Sequence, residues 1–79
     1  MQNLQNLQFE ITSNYEEAKE EYINALIKAY KQYRKDRDNN KLSIKVSSAY
    51  SAMLLKIGNW QIAEMIQHFA RIALTEALQ

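Results

Sequence analysis

The sequence predicts a mostly α-helical domain of three helices, a long first helix followed by a hairpin of the second and third. Three observations lead there. The 79-residue chain has no proline and a single glycine, Gly58, and both residue types disfavour helix interiors. Apolar residues recur at three- and four-residue steps over three separate stretches, which gathers them on one face at about 100° per residue. Between the last two stretches, Ile57-Gly58-Asn59-Trp60 supplies a residue suited to a left-handed helix end and a side chain suited to capping the next helix.

The first helix is expected over residues 14–37, after a flexible segment 1–6. Ser13-Asn14-Tyr15-Glu16 has the Ser-x-x-Glu form of a capping box, in which each side chain satisfies an orphan backbone N–H. Tyr15, Ala18, Tyr22, Ala25, Leu26, Ala29, Tyr30 and Tyr33 form the stripe. The helix should stop at the polar, turn-forming run Asp36-Arg37-Asp38-Asn39-Asn40. The second helix is expected over 47–57, capped by Ser47, with Val46, Ala49, Tyr50, Met53, Leu54 and Ile57 as its stripe. The third, over 60–77, is apolar around roughly 200° of its circumference on the 3.6-residue wheel. Gln61, Glu64, Gln67, His68, Arg71 and Thr75 make up its polar strip.

Two short segments carry a different period. Leu7-Gln8-Phe9-Glu10-Ile11-Thr12 and Lys41-Leu42-Ser43-Ile44-Lys45-Val46 alternate apolar and polar, as half-buried strands do. Laid over one another, Leu7 to Tyr15 and Leu42 to Tyr50 match at Leu, Ser and Tyr, and oppose Glu10 to Lys45. This pattern leaves room for short strands at 7–12 and 41–46, paired with each other or with copies; the match is better explained by chance and a shared preference for such residues before a helix than by a strand-then-helix repeat.

A chain of this length makes one domain, residues 1–79, and buries only about 60–65% of its unfolded surface. Small domains usually add a disulfide, a metal or a partner subunit. There is no cysteine and one histidine, His68, which leaves self-association. The over-wide apolar face of the third helix is the natural place for it. The expected oligomer interface is therefore Ile62, Met65, Ile66, Phe69, Ile72 and Ala73. The first seven residues lack the basic start and apolar run of a signal peptide. No stretch approaches the ~20 apolar residues of a membrane span. A cytoplasmic location without membrane attachment is the expectation.

Charge is unevenly spread. Residues 1–27 carry Glu10, Glu16, Glu17, Glu20 and Glu21 against Lys19. Residues 28–45 carry Lys28, Lys31, Arg34, Lys35, Arg37, Lys41 and Lys45 against Asp36 and Asp38. Acid at the start of a helix and base at its end is what the helix dipole favours. Asp36-x-Asp38-x-Asn40 has the opening of a calcium loop, but Lys41 and Ser47 stand where glycine and glutamate are needed. Glu64 and His68 lie four apart, a spacing used for zinc, yet no second histidine or any cysteine completes a site. Nothing supplies a nucleophile or an oxyanion hole beside that pair. The expectation is a protein that is not an enzyme and takes no cofactor or metal.

Residues 41–72 resemble a ribbon-helix-helix DNA-binding domain in the strand pattern of 41–47, in Ser47 opening a helix, and in the steps Tyr50, Leu54 and Ile57. That resemblance implies a dimer whose paired strands enter the major groove, with Ser43 and Lys45 touching bases. Gly58 falls about one turn early for that family, and the third helix lacks a basic start. Gly58-Asn59-Trp60, Ala63 and Ala70 resemble the turn and second helix of a tetratricopeptide repeat, though Gln67 replaces an aromatic and no second copy follows. No family is assigned on these grounds. The sequence therefore favours a non-enzymatic helical protein–protein interaction or regulatory module acting as a homo-oligomer. The alternative is a dimeric nucleic-acid-binding regulator that uses Lys31, Arg34, Lys35, Lys41, Ser43 and Lys45. Against it stands a net charge of only +1.

Overall fold

The computed structural model describes the backbone of residues 2–79 and the side chains of residues 14–79. It contains three α-helices in chain order: α1 over Gln2–Asp36, α2 over Asn39–Ile57 and α3 over Trp60–Ala77. The mostly helical three-helix architecture is as the sequence predicts. The third helix and the Gly58 corner fall where expected, and the first two helices both begin earlier.

The strand expectation is corrected. Residues 41–46 form the first turns of α2, residues 7–12 lie within α1, and no strand forms among the described residues. The alternation at 42, 44 and 46 competes with a helical stripe at Leu42, Val46, Ala49 and Met53, spaced four, three and four. Helical phase wins, so Leu42 and Val46 turn inward while Ile44 is left 66% exposed. Upstream, Leu4, Leu7 and Ile11 precede Tyr15 and Ala18 at the same helical steps, and no glycine or proline interrupts them. The strand-then-helix repeat and the pairing of Glu10 with Lys45 go with the strands. The Glu10 side chain, the segment 1–6 and the Ser13 hydroxyl fall outside the described side chains. Ser13 itself stands inside α1, so it does not cap a helix start.

Ser47 is likewise interior to α2. The cap is Asp38, in extended conformation, whose carboxylate accepts the Lys41 N–H at 3.0 Å. Asp36 accepts the Asp38 N–H at 3.0 Å and the Gln32 amide at 3.3 Å. These bonds, the first above all, hold the Asp36 carboxyl below its ordinary pKa despite an opposing desolvation. The residues that resembled a calcium loop are thus spent on turning the chain. Replacing Asp38 with alanine is expected to cost about 1 kcal/mol in a urea melt, the usual loss for an N-cap.

α2 runs back along α1, and α3 then runs parallel to α1. Lys56, near the end of α2, reaches Glu17 at 3.1 Å and Glu21 at 3.0 Å. These carboxylates raise the Lys56 pKa, Glu21 first. At the other end, the Arg34 guanidinium donates to the Leu78 carbonyl just past α3. The core between these fastenings is Ala18, Tyr22 and Leu26 from α1, Met53 from α2, and Ala63, Ile66 and Ala70 from α3. Ala63 and Ala70 are fully buried, so small side chains let α3 approach its neighbours closely. The Tyr22 and Tyr50 rings meet edge to face at 6.4 Å between centroids. Burial pushes the Tyr22 phenol above its ordinary pKa, partly offset by nearby Arg71.

Candidate interaction surface

On the α3 wheel, Ala63, Ile66 and Ala70 point into the bundle, and Ile62, Ala73 and Leu74 flank them half-buried. The remaining apolar positions turn away from α1 and α2. Met65 is 52% exposed, Phe69 41% and Ile72 51%, at steps of four and three that set them in one strip. The expected interface set therefore divides. Ile66 belongs to the chain's own core, Ile62 and Ala73 stand at the boundary, and Met65, Phe69 and Ile72 form an open apolar strip. Trp60, exposed at the start of α3, joins Gln61, Glu64, Met65, His68 and Phe69 around a shallow depression of about 460 Å³.

Local order supports this surface at the start of α3. Asn59 caps α3 by accepting the N–H groups of Gln61 at 3.0 Å and Ile62 at 3.3 Å. Gly58, at φ 68°, returns its N–H to the Leu54 carbonyl at 2.7 Å. Along the α1 edge of the strip, the Lys19 ammonium stands 5.1 Å from the Phe69 ring centre and 5.7 Å from that of Tyr15. Such exposed cation–π contacts contribute roughly 0.5–1 kcal/mol.

Glu64 and His68 are exposed on one side of the depression, and the His68 ring tilts against Phe69 at 6.1 Å. Among the described residues no group of three or more histidine, cysteine, aspartate or glutamate side chains is placed to hold a metal ion. Changing His68 to alanine is expected to leave stability within about 0.5 kcal/mol. Zinc-dependent stabilisation of the wild type that disappears in the variant would contradict this.

The basic residues surround one end of the bundle. Lys28 and Lys45 share a groove between α1 and α2 with Ala25, Ala29, Ile44, Ser48 and Ala49. Arg34 instead faces α3 through its bond to Leu78, and Lys41 lies 3.7 Å from Asp36. Lys31, Lys35 and Ser43 are exposed. Leu55 has no part in the expected stripe of α2, and Ile44 was expected as a strand position. Both are exposed on the outside of α2. Their spacing of eleven residues, three helical turns, puts them on one line, and once α2 is phased from Asn39 that line lies opposite Val46 and Met53.

No helix of the described residues is long and apolar enough to cross a membrane. Comparison with protein-family models, with curated proteins and with solved structures gives no match.

Proposed function

We propose that this chain is a non-enzymatic helical interaction module that works as a homo-oligomer in a regulatory or adaptor role. The observation that carries the reading is the strip Met65, Phe69 and Ile72, left open on α3 beside the exposed Trp60 while Ala63, Ile66 and Ala70 are packed in the core. A 79-residue chain without cysteine has little stability to spare. An exposed apolar strip costs it solubility unless a partner covers it. Covering the strip with a second subunit would also supply the missing staple. Sedimentation velocity tests this directly. The wild type should sediment as a dimer or larger species at micromolar concentration, and Met65→Asp should shift it toward monomer while helicity is retained. A wild type that stays monomeric over that range would refute the proposal.

The second reading is nucleic-acid binding, supported by the groove that Lys28 and Lys45 share. Its strand-in-groove form has lost its strand, since 41–46 is helical. Retention on heparin or random DNA across a salt series separates the two, because phosphate contacts weaken steeply with salt.

A further inference from the structure

Along the flank of α1 that adjoins α3, Glu16, Glu20, Ile23, Ile27, Tyr30 and Arg34 follow one another at steps of four, three, four, three and four. That is the seam of a coiled coil, and its spacing brings all six onto one line. The line is only partly absorbed by the bundle, through Ile23 against the core and the Arg34 bond to the Leu78 carbonyl. Ile23, Ile27 and Tyr30 are only half-buried, and Glu16, Glu20 and Arg34 are exposed. The middle of the seam is apolar and its two ends are opposite in charge. Lys31, also exposed, adds a second cation beside Arg34. Parallel pairing of two such seams would set acid on acid and base on base. Antiparallel pairing about a point between Ile23 and Ile27 sets Glu16 on Arg34, Glu20 on Tyr30 beside Lys31, and Ile23 on Ile27. Every charged position then meets an opposite charge or a neutral ring.

The seam is also continuous with the open strip of α3. Glu16, Lys19, Glu20, Ile23 and Asn24 line one groove on α1, and Lys19 stands over Phe69. We infer that a second copy of this chain docks antiparallel on the α1–α3 face, with the α1 seam fixing its direction and register. This inference rests on the homo-oligomer reading and adds its face and its polarity. Charge here acts mainly on orientation, since attraction at both ends exists in only one of the two directions.

The test combines a cross-link with charge reversal. The chain has no cysteine, so Asn24→Cys introduces a single thiol. Asn24 is exposed, borders the seam and lies next to the two-fold point. Oxidation should convert this variant to a covalent dimer. Glu16→Lys with Glu20→Lys, and separately Lys31→Glu with Arg34→Glu, should each weaken dimerisation by about tenfold or more. A 1:1 mixture of the two should recover a heterodimer, and all four changes in one chain should recover the homodimer. Circular dichroism shows that each variant is folded. If the wild type dimerises but the Asn24→Cys chain does not cross-link, the face is wrong and the homo-oligomer stands. If it cross-links but the four-fold variant stays monomeric, the polarity is wrong. A monomeric wild type removes both.

Discussion

Replacing Ile66 with aspartate is expected to unfold the chain, whereas the same change one residue earlier, at Met65, leaves it folded. Ile66 has no exposed surface and is the largest side chain so enclosed among the described residues. It lies among Ala18, Tyr22, Leu26, Met53, Ala63 and Ala70, a set with no cation to pair with a carboxylate. Losing the burial of an isoleucine costs roughly 1.5–3 kcal/mol. An unpaired carboxyl in an apolar site adds several kcal/mol more, whether it stays charged or takes up a proton. Small domains have only about 5–10 kcal/mol in total. Far-UV circular dichroism should therefore show Ile66→Asp largely unfolded at 25 °C. Ile66→Val, which removes one methylene, should cost about 0.5–1.5 kcal/mol in a urea melt. Met65 is half in solvent, so its aspartate variant keeps its hydration and its fold. An Ile66→Asp chain with native helicity would show that α3 does not pack as described.

The contrast between those neighbours marks how far the sequence reaches. The wide apolar arc of α3 is legible from the residues, and so are its limits, because Gly58 and Asn59 each have one ready use there. How the arc divides between core and open strip is not legible. Met65 and Ile66 are equally apolar, and only the positions of α1 and α2 decide which is covered. The early starts of α1 and α2 were obscured for a different reason. A run such as Leu42-Ser43-Ile44-Lys45-Val46 fits a strand over five residues, and it fits a helix once Ala49 and Met53 are counted with Leu42 and Val46. The helical reading leaves Ile44 in solvent, a cost the alternating pattern avoids on paper. Asp38 settles the competition by capping the helix nine residues before Ser47. The charge asymmetry was legible, but the dipole of α1 accounts only for its basic end: Arg34 and Lys35 lie in the last turn, whereas no acidic residue lies in the first turn and Glu16 to Glu21 stand mid-helix. The placement of both ends on one seam with Ile23 and Ile27 was within reach of the sequence, since the helix expected over 14–37 already spans Glu16 to Arg34; what the structure adds is that Ile23, Ile27 and Tyr30 are left only half-buried.

Replacing Gly58 with valine is the second change expected to have a large effect, and its cause is the backbone alone. Gly58 adopts φ 68° and ψ 19°, the left-handed conformation that ends α2 and lets its N–H bond the Leu54 carbonyl. A Cβ placed there meets no atom within 4 Å, so crowding by neighbours contributes nothing. What remains is the clash of a side chain with its own backbone in that conformation, about 1–2 kcal/mol for an L-residue. A β-branched side chain, with its restricted χ1, belongs at the upper end of that range. Part of the loss is offset because valine also narrows the unfolded ensemble, by roughly 0.4–1 kcal/mol. The net expectation is a loss of about 1 kcal/mol, or some 4–8 °C in Tm for a domain of this size. Gly58→Asn should lose less, since asparagine tolerates this region. Arg37 provides the opposite experiment in the same molecule. It sits at φ 56° where α1 ends, with its N–H on the Tyr33 carbonyl at 2.7 Å and its guanidinium 5.8 Å from the Tyr33 ring centre. Arg37→Gly removes about 1–2 kcal/mol of backbone strain, offset by one exposed cation–π contact of roughly 0.5–1 kcal/mol and by a wider unfolded ensemble of roughly 0.4–1 kcal/mol, so its Tm should stay nearly level. Thermal melts of the two variants side by side check the contrast. A Gly58→Val chain as stable as the wild type would mean that the corner does not hold the left-handed turn.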